Sequence, residues 1–259
     1  GAMSMSLLAG CGSKPADEPK DDAPVDSNNA ASTDYKLAVD GTLTMATNAF
    51  FEPFEYYEGE EIVGIDAEVG KAIADKLGLG FSISDMEFDS IITAVAAGKA
   101  DMGMAGMTVD PDRAKNVDFS QTYATGVQAI IVPENSEIAS PDDLAGKKIG
   151  VQQGTTGDLY CTDDFGEEAM NRFSKGTDAV MALTQGKIDC VVIDNEPAKK
   201  FVAANEGLKI LDTAYTEEDY AIAFAKDNTA LKDAVDKALG ELIADGTVQK
   251  IVDKYITAE

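Results

Sequence analysis

A pentapeptide pattern that occurs twice constrains the fold more than any other feature of the chain. Ala97-Gly98-Lys99-Ala100-Asp101 and Gln185-Gly186-Lys187-Ile188-Asp189 each join an expected helix to an expected buried strand. In both copies Gly suits the helix stop and Lys lies near the negative helix end. Upstream of the first copy, Leu37 to Thr47 reads as a strand with a turn at Gly41. Ile62 to Gly64 then leads into a helix with Ile65, Val69, Ile73 and Leu77 four residues apart. Asp66 and Glu68 suit the positive end of that helix, and Gly78 suits its cap. A second helix over about Asp89 to Ala97 precedes a strand from Asp101 to Ala105. Around the second copy the order recurs: a strand over Lys148 to Gln152, a helix opening at Gly157, a helix over Asp178 to Gln185 and a strand over Cys190 to Asp194. Repeated β-α-β is the pattern of a mostly parallel sheet, so two α/β lobes of like construction are predicted.

Two segments connect them. Val117 to Ile131, with the apolar strand Val127 to Val132, is one expected crossover, and about Glu217 to Ala221 is the other. A strand over Tyr220 to Phe224 and helices over Leu231 to Ala244 and Val248 to Tyr255 would then close the first lobe. The expected lobe 1 is 37–122 plus 222–259, lobe 2 is 128–216, and the hinge is 123–127 with 217–221. Ligands of open α/β sheets bind beyond the strand carboxyl ends, so two facing lobes define a cleft.

The N-terminus carries an address. Leu7-Leu8-Ala9-Gly10-Cys11 matches the bacterial lipoprotein box, in which a peptidase cuts before a lipidated cysteine. Residues 1–10 read as a signal-peptide remnant or tag. Residues 11–36, with Pro15, Pro19 and Pro24 and almost no large apolar side chain, cannot form a core and read as a disordered leash behind the lipidated Cys11. The expected location is the extracellular face of the cell membrane or the periplasm. There Cys161 and Cys190 could form a disulfide or stand as two buried thiols.

Composition removes several function classes. The chain has no histidine, which eliminates Ser-His-Asp and Cys-His nucleophile systems and most zinc sites. A formal net charge of −26 repels nucleic acid and anionic headgroups. No apolar run is long enough to span a bilayer, which leaves the lipid anchor as the expected membrane contact. No metal and no cofactor are expected, and the chain is read as a monomer.

Gly64-Ile65-Asp66-Ala67-Glu68-Val69, followed by Ile73-Ala74 and Leu77, resembles the signature of solute-binding protein family 3, departing at Ala67. Asn48 to Phe54, Ala105-Gly106-Met107-Thr108 with Arg113, Gly154-Thr155-Thr156 and Ile193-Asp194-Asn195-Glu196 fall in family order. The resemblance implies a type II periplasmic-binding-protein-like α/β fold, two Rossmann-like lobes joined by two crossover strands. It also implies a receptor that hands a free polar or basic amino acid to an ABC permease and its ATPase, and that catalyses nothing.

A free amino acid buried in a closed cleft needs a partner for each backbone charge. Arg113 can offer a two-pronged donor to the carboxylate, with the Thr108 hydroxyl and N–H beside it. Gly154-Thr155-Thr156-Gly157 lies between a strand and a helix, where N–H groups favour an anion. The resemblance makes the Thr156 N–H the second carboxylate donor and assigns the ammonium to Asp194 and the Gly106 carbonyl. It also implies that Phe51 and Phe88 sandwich the side chain. Gln152 is a further side-chain contact. Met102, Met104 and Met107 read as core. Asn48 stands where relatives selective for basic side chains, and some for glutamine, carry Asp, so a cationic ligand would need Glu52, Glu87 or Asp89 to reach the pocket. Arginine, histidine, glutamine and cystine stay open. Two other readings share the scaffold: a dehydratase of prephenate-like acids, with Glu196 or Asp89 as general acid, and a ligand-sensing module.

Overall fold

Burial is nearly continuous along the first parallel strand of each half, Thr42–Thr47 and Ile149–Gln152, as expected of strands covered on both faces. A computed structural model of the chain describes residues 35–256. Cys11, the residues before it and most of the expected leash lie outside the described residues. Tyr35 and Leu37 already pack on the core, and the Lys36 carbonyl accepts from Asn228 at 2.9 Å, so the ordered body includes the last residues assigned to the leash.

The first half runs through β1 (Thr42–Thr47), β2 (Phe50–Phe51), β3 (Glu55–Glu58), β4 (Glu61–Val63), α1 (Ile65–Leu77), β5 (Gly80–Asp85), α2 (Ile91–Ala96), β6 (Met102–Gly103) and β7 (Val117–Phe119). The second comprises β8 (Ala124–Pro133), β9 (Ile149–Gln152), α3 (Thr156–Phe165), β10 (Met170–Phe173), α4 (Gly176–Thr184), β11 (Cys190–Asp194), α5 (Asn195–Ala204) and β12 (Leu208–Ile210). The chain returns through β13 (Thr216–Tyr220) to β14 (Ala223–Ala225), α6 (Thr229–Ala244) and α7 (Thr247–Tyr255).

The two sheets repeat one topology. Lobe 1 orders its strands β5-β1-β6-β14-β7 and lobe 2 orders them β10-β9-β11-β8-β12, so each sheet contains a parallel triplet whose first strand lies in the middle. The repeated pentapeptide closes each triplet identically. Gly98 and Gly186 both take φ of +68°, the left-handed conformation that ends a helix most cheaply in glycine. The Asp of each copy then accepts from the backbone at the start of the central strand: Asp101 from Thr44 N–H and Asp189 from Lys148 N–H, each at 2.7 Å.

The crossovers form an antiparallel ribbon, β8 pairing with β13 from Gln128 opposite Thr216 to Ala124 opposite Tyr220. The expected single strand over Tyr220 to Phe224 is divided. Tyr220 ends β13 and Ala223 begins β14, with fully buried Ala221 and Ile222 between them where the backbone passes from one sheet to the other. The β2-β3-β4 sheet was not anticipated, since strands of 2 to 4 residues show no clear period. Met102, Met104 and Met107 are wholly buried core residues.

Candidate ligand-binding site

The carboxyl ends of the central strands face one cavity. From lobe 1, Asn48 follows β1, Phe51 lies on β2, Phe88 follows β5, Gly106 and Thr108 follow β6, and Arg113 lies in the turn before β7. From lobe 2, Gln152 ends β9, Thr155 caps α3, Thr156 begins it, and Asp194 ends β11. All ten line a single cavity with an empty volume of about 390 Å³, joined by Ala105, Ile193 and two polar residues that sequence reasoning missed, Glu55 and Gln128.

At one end lies a buried cation. Arg113 Nη1 donates to the Thr108 carbonyl at 2.8 Å, Nη2 donates across the cleft to the Gly154 carbonyl at 3.1 Å, and the guanidinium stacks 5.3 Å from the Phe88 ring centre. None of these partners is anionic. Burial lowers the Arg113 pKa from its ordinary value, opposed by Asp110 and then Glu218, and a guanidinium keeps its charge under such a shift. Asp110 sets the backbone by accepting from the N–H groups of Asp112 and Arg113 at 2.8 and 3.1 Å. Opposite, Thr155 Oγ1 accepts from Asp158 N–H at the start of α3, and the Arg113 bond to the Gly154 carbonyl brings that helix start beside the guanidinium.

Carboxylates lie close to it, Glu218 and Asp194 among the charges acting on the guanidinium. Gln128 Nε2 donates to Asp194 and, at 3.0 Å, to Glu218, whose same oxygen accepts from the Thr108 hydroxyl at 3.0 Å. The Thr108 hydroxyl proton is therefore committed to Glu218 rather than to an anion in the cavity. Burial, and then the Glu218 charge, push Asp194 well above the usual carboxylate range. Gly106 takes φ of +52°, and a Cβ there would stand 2.7 Å from the Phe51 ring, so only glycine brings its carbonyl this close. Its N–H donates at 2.8 Å to Asp66, which also accepts from the Tyr123 hydroxyl at 2.8 Å.

The remaining wall is where the nominated acids failed. Glu52 pairs with Lys200 at 3.1 Å, Asp89 accepts from Gln153 at 2.7 Å, Glu87 is exposed, and none of the three lines the cavity. Glu196, the candidate acid of the dehydratase reading, pairs with Lys199 at 3.1 Å outside the lining. The acid that reaches the cavity is Glu55, 0% exposed, whose carboxyl has no N–H or hydroxyl donor and meets only another acid, Asp66, to which it can donate when protonated. Burial, then Asp66, Asp194 and Asp85, push its carboxyl well above the usual range. Asn48 and Gln152 are engaged with each other: Gln152 Nε2 donates to Asn48 Oδ1 at 2.9 Å and to the Ser174 carbonyl at 3.1 Å, while Asn48 Nδ2 donates to the Met86 carbonyl at 2.8 Å.

Residues 43–258 match the family described as bacterial extracellular solute-binding proteins, family 3. The chain belongs to that family. The solute-binding protein is 38% identical over 225 residues to the arginine-binding extracellular protein ArtP of Bacillus subtilis (strain 168), covering 84% of this chain and 87% of ArtP. Among solved structures, an ancestral arginine-binding protein bound to glutamine superposes with a TM-score of 0.80 at 39% identity, covering 85% of this chain and all of that one (100%). The same kind of protein bound to arginine gives 0.79 at 39%, covering 83% and 98%. The two-lobed type II fold is thereby established for this solute-binding protein. Its lobes touch across the cleft through the Arg113, Gln152, Gln153 and Lys200 contacts above and through Lys175, whose Nζ lies 3.7 Å from the Phe50 ring centre.

Proposed function

We propose that this solute-binding protein is the receptor of an ABC importer for an amino acid with a cationic side chain, which it binds without transforming. Arg113 and the N-terminal amides of α3 hold the α-carboxylate from opposite lobes. Asp194, oriented by Gln128, and the Gly106 carbonyl hold the α-ammonium, and Phe51 and Phe88 flank the side chain. The observation that carries the ligand class is Glu55, a wholly buried carboxyl in the cavity wall with no cation or N–H donor against it and another acid, Asp66, beside it. A guanidinium or ammonium placed there supplies the missing counter-charge. Similarity to arginine-binding relatives supports the same class.

Closure about the β8 and β13 ribbon would bring the two half-sites together, and the closed form would dock on a permease with its ATPase. The lipobox supports lipidation at Cys11, which would hold the monomeric receptor on the extracellular face of the membrane. A melting screen against the common amino acids tests the ligand class. A cationic amino acid at 1,000 times Kd should stabilise the fold by about 4 kcal/mol, and stabilisation by none of them refutes the proposal. Washed cells test the anchor: the full-length precursor should stay with membranes and Cys11→Ala should not.

A further inference from the structure

Glu55 faces groups of one sign. Asp66 on α1, Asp85 at the end of β5 and Asp194 at the end of β11 act on it as anions. Its cross-strand partner on β2 is Phe51, and the charged residue of β4, Glu61, is exposed. The Tyr123 hydroxyl donates to Asp66, and the buried Tyr220 hydroxyl is directed at Asp194. The nearby cations are engaged elsewhere: Arg113 with two carbonyls, Lys175 with Phe50 and Lys200 with Glu52. A carboxyl group desolvated among anions is tolerable with a proton on it or with a cation against it, and with little else.

We propose that Glu55 sets side-chain charge selectivity by exchanging the one for the other. The complex with a cationic side chain carries Glu55 ionised, and the complex with a neutral, hydrogen-bonding side chain of the same shape carries it protonated. The inference rests on the amino-acid receptor reading and adds a proton to it. Asp66 adjoins Glu55 and is itself raised to about 6 by burial, but it already accepts from Gly106 N–H and Tyr123 O–H, which leaves Glu55 as the holder of the proton. Because both complexes form from the same free protein, they differ by one bound proton whatever the ionisation of that free state. Lowering the pH therefore weakens a cationic ligand relative to a neutral one.

Arginine and citrulline are the probes, because citrulline replaces the guanidinium by a neutral urea of nearly the same shape. Titration calorimetry of the wild-type protein in phosphate and in Tris at one pH counts the protons exchanged by each ligand. The two counts should differ by about one near pH 7, and the citrulline-to-arginine Kd ratio should rise by up to about tenfold per pH unit between about pH 6 and pH 8. Glu55→Gln should abolish the difference in proton count, weaken arginine by about 30-fold or more, and leave citrulline within about threefold. Equal counts in the wild type, or citrulline that does not bind at the low end of that range, overturn the exchange. If neither ligand binds, the receptor reading fails and the exchange fails with it. If the variant does not fold, the wild-type proton counts and pH profile decide alone.

Discussion

Replacing Arg113 by Met keeps the alkyl stem and removes the cavity's cation. Two hydrogen bonds are lost, to the Thr108 and Gly154 carbonyls. At about 0.5–1.5 kcal/mol each, that loss is partly offset because a guanidinium that is 8% exposed no longer has to be desolvated. The ligand-free protein should therefore fold, with its melting temperature shifted by several degrees at most. Binding responds differently, because the ligand carboxylate then enters a closed cavity with no counter-charge. Truncation of one partner of a buried charge pair costs about 2–5 kcal/mol, or roughly 30-fold to several thousandfold in Kd. Arg113 bonds to neither Glu55 nor Asn48, so every amino acid should weaken by the same factor and their order should persist. Isothermal titration with arginine, lysine and glutamine reads both quantities. A folded variant that binds within about threefold of wild type, a gap under about 0.7 kcal/mol, removes Arg113 from the clamp.

Asn48→Asp would set a carboxylate oxygen where Nδ2 now donates to the Met86 carbonyl at 2.8 Å, so it should weaken all ligands by about 1–3 kcal/mol rather than favour basic ones; titration of arginine against glutamine separates the two outcomes. Glu55 and Asp66 both titrate above their unfolded values, Asp66 at about 6, so the folded chain binds more protons and their contribution to stability falls as pH rises. Glu55→Met should accordingly leave the melting temperature of the ligand-free protein unchanged or higher at neutral pH, and a fall of more than about 2 kcal/mol in stability would refute the uncompensated charge. Cys161 and Cys190 are free and buried, and burial pushes the Cys161 thiol up to about 12, so a thiol reagent at neutral pH should label neither in the native protein and both after unfolding.

The repeat was legible because its pieces are local. A glycine after a helix and an aspartate before a strand do the same work in both lobes, at Asp101 and Asp189. The ten residues nominated from ordered motifs all line one cavity. Two polar members of the lining were not legible. Glu55 sits inward on a strand of 4 residues between Phe54 and Tyr56, too short for alternation to show which way the acid faces. Gln128 lies in the crossover strand, where only the ribbon's register aims it at Asp194. The acids nominated in their place, Glu52, Glu87 and Asp89, are as close in sequence as Glu55 but are paired or turned to solvent. Sheet switching explains the divided return strand, since nothing in Tyr220 to Phe224 marks where the backbone changes partners.

A cavity that grips both backbone charges of one amino acid must separate three ligands when the ligand-free protein is titrated: arginine, agmatine, which lacks the carboxylate, and the 2-hydroxy analogue, which lacks the ammonium. Arginine should bind, and each analogue should bind about 30-fold or more weakly, because Arg113 or Asp194 is then left facing no charge. Agmatine or the hydroxy analogue binding within about threefold of arginine would contradict the clamp.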